Sequence, residues 1–80
     1  MLYNKELLEE LNVLARYNLT STQEGIKIHH DAAPEVVAAA ARLFDKGLVD
    51  HQDGGYLTHL GLEVTEKVQY VLGILCSENN

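Results

Sequence analysis

The stretch Phe44-Asp45-Lys46-Gly47-Leu48-Val49-Asp50-His51-Gln52-Asp53-Gly54-Gly55-Tyr56-Leu57-Thr58 holds the end of one element, a turn and the start of another. Gly47 sits where a helix C-cap belongs. Leu48-Val49 resumes an apolar run, and Asp53-Gly54-Gly55 is a hairpin signal because glycine accepts the positive φ of a tight turn. Tyr56-Leu57-Thr58 returns as the second strand of a wing hairpin over 48–58. Thr58 can cap a last helix over about 60–76, whose Leu62, Val64, Val68, Val71, Leu72 and Leu75 keep helical spacing.

Upstream, Asp31-Ala32-Ala33-Pro34-Glu35 reads as a helix entrance, with Asp31 capping and Pro34 in the first turn. The helix it opens, 34–46, carries Val36, Val37, Ala40, Leu43 and Phe44 on one face. Ala38, Ala39 and Ala41 share the face expected to be exposed. Earlier still, Leu7, Leu8, Leu11, Leu14 and Ala15 form one stripe of a helix over 4–17, capped by Asn4. Ser21 and Glu24 have capping-box spacing for a short turn stopped by Gly25, after which Ile26-Lys27-Ile28-His29 alternates as a strand does. A single helix over 22–29 is the alternative, and it carries Gly25 in its interior at a cost near 1 kcal/mol. Turn plus strand is preferred. No repeat or linker divides the chain, so residues 1–80 read as one α+β domain.

Eighty residues bury only about 60–65% of their unfolded surface, so the core is small and a partner subunit would help. The net charge of −6 disfavours nonspecific adhesion to DNA or to an anionic membrane. Cys76, the single cysteine, cannot close an intrachain disulfide, which suits a reducing cytoplasm. Acids arrive at once after Met1, unlike a signal peptide, and no apolar run approaches the ~20 residues that span a bilayer.

The quoted stretch, with Gly61 beyond it, resembles the recognition-helix exit and wing of winged-helix regulators, and the match runs over about 19–63. The whole chain also resembles a small uncharacterised bacterial family labelled as DNA-binding proteins or transcriptional regulators. Thr22-Gln23-Glu24-Gly25-Ile26-Lys27 and the Asp53-to-Thr58 hairpin carry that second resemblance. It implies a small winged helix-turn-helix-like domain with a long C-terminal helix. In such proteins a helix enters the major groove and the wing touches the backbone. The 34–46 helix would then dock on double-stranded DNA, with Lys27, Arg42 and Lys46 as its contacts.

Charge pulls the other way. Residues 34–61 hold two bases against four acids, and the wing itself carries Asp50 and Asp53 without a cation. Alanine can touch a thymine methyl but donates no hydrogen bond to a base edge. Two function classes therefore stand: a DNA-binding regulator, preferred on the family resemblance, and as the alternative a protein-interaction module that keeps the scaffold and meets a basic protein partner. Arg42 and Lys46 suit phosphates, yet Arg42 can equally pair with Asp45, while Lys46 favours a helix end. His29, His30, His51 and His59 lack metal-ligand spacing, so no metal or cofactor is expected, though a histidine at an interface could titrate. Ser21 and Thr58 have no paired base, and Cys76 follows an apolar run that suits a buried thiol, so no catalytic residue is expected. The segment 70–76 is apolar all round, which points to a homodimer interface made by Val68, Val71, Leu72 and Leu75.

Overall fold

The computed structural model describes residues 3–20 and 24–77. Helix α1 spans Lys5–Ala15, β1 Ile26–Lys27, α2 Pro34–Asp45, β2 Val49–His51, β3 Gly54–Leu57 and α3 His59–Leu75. The three strands form one antiparallel sheet in the order β1-β3-β2. This is a small α+β domain with a winged-helix-like layout and a long C-terminal helix. Residues 28–33, between β1 and α2, hold a turn in which Ala32 N–H donates to the His29 carbonyl at 3.0 Å.

Local chemistry explains where the elements begin and end. Asn4 caps α1 by accepting from Leu7 N–H at 2.7 Å. Strand, not helix, occupies 26–27, while the capping role expected of Ser21 lies outside the described residues. Asp31 does not cap α2: the N-cap is Ala33, with no side-chain bond, because Pro34 at the first turn supplies the fixed φ and needs no donor partner. Gly47 closes that helix with φ 81°, and Leu48 N–H reaches back to the Leu43 carbonyl at 2.9 Å. Thr58 then joins two elements. Its hydroxyl donates to the Gly47 carbonyl at 2.6 Å and accepts from Gly61 N–H at 3.0 Å, capping α3.

The hairpin turn falls at Gln52–Asp53, one residue before the expected Asp53-Gly54-Gly55. Gly54 and Gly55 open β3 instead, at φ 117° and 75°, and no other described residue except Gly47 has positive φ. Two β3 residues, Gly55 and Tyr56, face Asp50 between the pairs Val49↔Leu57 and His51↔Gly54, which makes a bulge. A side chain at Gly54 would meet the Ile26 carbonyl oxygen at 2.7 Å, and one at Gly55 would meet the Asp50 carboxylate.

Val13, Leu14, Tyr17, Ala39, Leu43, Leu48 and Val49 form the core, with Ile26, Val36, Leu57, Val64 and Val68 packed around it. The buried face of α1 is therefore turned relative to the expected stripe: Leu8 is 50% exposed and Ala15 is exposed, while Glu10 and Val13 are buried. Ala39, expected on the surface, is fully buried with Ala40, and Phe44 points out. Small alanines let α1 lie close against α2. Gln69 of α3 ties off the end of α1 by donating to the Leu14 and Tyr17 carbonyls at 3.2 and 2.7 Å. Tyr17 in turn donates its hydroxyl to the Gly55 carbonyl at 3.0 Å; burial, with the Asp50 charge nearby, pushes its pKa up to about 12.

Two side-chain sites in α3 lead to opposite expectations. A Cβ at Gly61 would run into the Leu48 carbonyl group, whose carbon lies 2.8 Å away, and neither backbone can yield cheaply. Thr65 is completely buried, and its hydroxyl has no hydrogen-bond partner. Gly61→Ala should lower the unfolding free energy by about 2–3 kcal/mol, as overpacking does. Thr65→Val should raise it by about 1 kcal/mol by removing an unsatisfied hydroxyl at constant shape. Urea unfolding followed by circular dichroism measures both, and a neutral Gly61→Ala would contradict the close approach of α3 to the Leu48 backbone.

Candidate functional site

In a winged-helix layout the surface that would meet a duplex is built from α2 and the β2–β3 hairpin. Its cations are engaged elsewhere. Arg42 Nε donates to Glu10 Oε2 at 2.6 Å, and Lys46 Nζ donates to Glu10 Oε1 at 2.5 Å. Arg42 also gives Nη2 to the Glu6 carbonyl at 3.0 Å. The spacing of four that suits two phosphates thus suits the two oxygens of one carboxylate on α1. Asp45, the expected local partner of Arg42, does not take it. Lys27, the third candidate DNA contact, lies 3.5 Å from Asp53 in an exposed pair, which contributes little to stability.

Glu10 is 5% exposed. Burial alone would raise its pKa, but the hydrogen bonds from Lys46 and Arg42, together with their charges, hold it below the usual carboxylate range. A signal for this residue was present in the sequence, since position 10 is three after Leu7 and four before Leu14. A carboxylate on an apolar stripe needs a buried partner.

The wing carboxylates also have local roles. Asp50 Oδ1 accepts from Tyr56 N–H at 2.8 Å and pairs with His51 Nδ1 at 2.7 Å. These bonds, the backbone one first, lower its pKa although the group is open to water. Asp50 thereby fastens the bulge. Asp53 supplies its carbonyl to Ile28 N–H at 2.8 Å, which anchors the turn to the segment after β1. With Arg42 turned toward α1, the exposed residues of α2 include Glu35, Ala38 and Asp45.

On α3, Val64 and Val68 pack on the core, and the same stripe continues uncovered. Tyr70 is 71% exposed, Val71 49%, Ile74 60% and Leu75 75%. Beside them a groove of about 260 Å³ runs between α1 and α3, lined by Leu11, Lys67, Val68, Val71 and Leu72. Of the expected dimer residues, Val71 and Leu75 are at the surface, Leu72 is half-buried and Val68 packs inward. Cys76 is exposed, not buried, because α3 ends beyond the body of the domain. No group of described residues gathers three metal-ligating side chains, and no described helix is long and apolar enough to cross a membrane.

Acid tests the Glu10 junction. A folded pKa held below the unfolded one contributes stability that is complete above the ordinary carboxylate value, about 4.3, and is lost as pH falls through the lower folded value. Glu10→Gln should therefore cost about 1–2 kcal/mol near neutrality, and the difference from wild type should vanish in acid below that range. The figure is smaller than for a fully buried pair because the Lys46 side chain is 53% exposed. Chemical denaturation of both proteins across pH 3–7 measures it, and a difference independent of pH would show that Glu10 acts by packing alone.

No curated protein and no solved structure matches this chain. Residues 1–76 match a family of unknown function, DUF5669, and the chain belongs to that family.

Proposed function

We propose that this protein is a non-enzymatic protein-interaction module on a winged-helix-like scaffold, and that it works as a homodimer rather than by docking on DNA. One observation carries the reading: buried Glu10 takes up both cations of α2. Releasing them toward phosphates would leave a carboxylate buried and unpaired, which is costly. What remains outward on α2 and the wing includes Glu35, Asp45 and Asp53, chemistry suited to a lysine- or arginine-rich partner. A cytoplasmic setting belongs to the same proposal, supported by the single free thiol.

The resemblance to DNA-binding regulators supplies the competing reading, and it makes a numerical demand. Three cations per chain on phosphates would give a salt slope near −2.7 per protomer. Fluorescence anisotropy on a mixed-sequence duplex should instead find no saturable binding by wild type at about 50 mM salt. Under the same conditions an arginine-rich peptide should bind and be displaced by salt. Saturable duplex binding with a slope of that size would overturn the proposal.

Self-pairing rests on the far end of α3. Val71 and Leu75 are exposed along a groove lined by Leu11, Val68, Val71 and Leu72, and Tyr70 and Ile74 are exposed further round the helix. An exposed apolar stripe beside an apolar groove suits a twofold, self-complementary contact. No Asp, Glu, Lys, Arg or His occurs from Val68 to Ser77, so two chains of charge −6 can approach here. With Leu8 the patch offers on the order of 500 Å² per chain, near the lower bound for a specific interface. Sedimentation should accordingly find a reversible dimer in the micromolar range. Leu75→Glu should leave a folded monomer, since this side chain makes little contact within its own chain. A wild type that stays monomeric at about 100 µM would overturn the pairing.

A further inference from the structure

Three of the chain's four histidines border one cleft. His29 and His30 lie in the turn that leaves β1, His51 ends β2, and together they border a cleft of about 460 Å³. Val37 and Ala41 of α2, with Ile28, supply its apolar wall, and Lys27, Gln52 and Asp53 complete the rim. That volume lies within the range of small-molecule sites, which are mostly apolar with a few polar groups for orientation.

Both walls of the cleft are fixed by the backbone. Ile28 N–H donates to the Asp53 carbonyl at 2.8 Å, and Ala32 N–H closes the turn over His29 and His30. Ile28 itself is only 4% exposed. Asp50 orients the His51 ring through Nδ1, leaving Nε2 as that ring's other polar atom. Aspartates near the cleft are Asp53, paired with Lys27, then Asp50 behind His51, and Asp31, which follows His30. Helix α2 contributes no charged side chain to the lining. On a chain of net charge −6, the cleft lining sets one ammonium and three imidazoles against the single carboxylate of Asp53, beside an apolar wall.

We propose that this cleft binds a small organic anion, a carboxylate carried on an aromatic or aliphatic body. The apolar part lies against Ile28, Val37 and Ala41, and the carboxylate meets the imidazoles and Lys27. The inference is independent of whether the protein pairs with itself or touches DNA.

Benzoate is a suitable probe, with benzyl alcohol as its neutral counterpart and inorganic phosphate as an anion without an apolar body. Amide and imidazole NMR shifts should be followed in wild type at pH 6, at constant ionic strength. Benzoate should move residues 27–30, 37, 41 and 51–53 at pH 6. Benzyl alcohol and phosphate should each bind at least about fivefold more weakly than benzoate at pH 6. His30→Gln with Lys27→Gln should abolish the shifts while the rest of the spectrum stays native. Both side chains are exposed, so folding is not at stake. His51→Gln is the second variant and should weaken binding in the same direction. The proposal is overturned if benzoate leaves the cleft resonances unmoved at pH 6, if either control binds as well as benzoate, or if the double variant binds like wild type.

Discussion

The Glu10 carboxylate, set between Arg42 and Lys46, governs how the two N-terminal helices meet. Helix α1 brings an acid to a 5%-exposed position, and α2 brings two bases one turn apart. Each oxygen of the carboxylate receives one donor, so the desolvation of the acid is offset by two charge-assisted bonds. Ala39, fully buried on the face of α2 that carries Arg42 and Lys46, lets the helices approach closely enough for those bonds to form. The rest follows from that placement. Val13, Leu14 and Tyr17 are carried inward, Tyr17 reaches the wing backbone at Gly55, and Gln69 closes the last turn of α1 from α3.

Much of this architecture is legible in the sequence because punctuation is local. Asn4, Gly47, Thr58 and the paired glycines act within a few residues of themselves, and each stands where its chemistry requires. Strand rather than helix at 26–27 also follows locally, since Gly25 and the β-branched residues there work against a helix. Facing is less legible. Rotation of α1 about its axis depends on ions that lie 32 and 36 residues away, and periodicity counts apolar residues only. Leu8 therefore reads as core and Glu10 as surface, the reverse of what the fold makes of them. The hairpin offset has the same origin: the glycines are needed for a bulge around Asp50, not for the turn itself.

Site chemistry was harder to read still. Arg42 and Lys46 look alike whether they face a phosphate or a carboxylate, because spacing specifies the geometry of the pair and not its partner. Only the fold decides that. The three histidines are separated by up to 22 positions in the chain, and their place around one cleft depends on the Ile28-to-Asp53 backbone bond. The C-terminal helix is the converse case. Its uniform apolarity was visible at once, whereas the division between Val68 packed inward and Leu75 at 75% exposure required knowing where the domain body ends.

A fold fixes where side chains are presented and leaves their chemistry open. A winged-helix-like layout asks two things of α2: it must pack against α1, and for DNA it must also carry free positive charge outward. In this chain the same two residues would have to satisfy both demands. Arg42 has a guanidinium with donors on two sides, yet Glu10 takes one side and the Glu6 carbonyl another. Lys46 is half-exposed, but its ammonium ends on the same buried carboxylate. A phosphate approaching either cation must compete with an acid already desolvated by folding, at a surface that also presents Glu35 and Asp45. The internal partner has the advantage of proximity without any loss of translational freedom. Layout alone thus leaves α2 available to a duplex, while its two cations are already held by the buried Glu10 carboxylate.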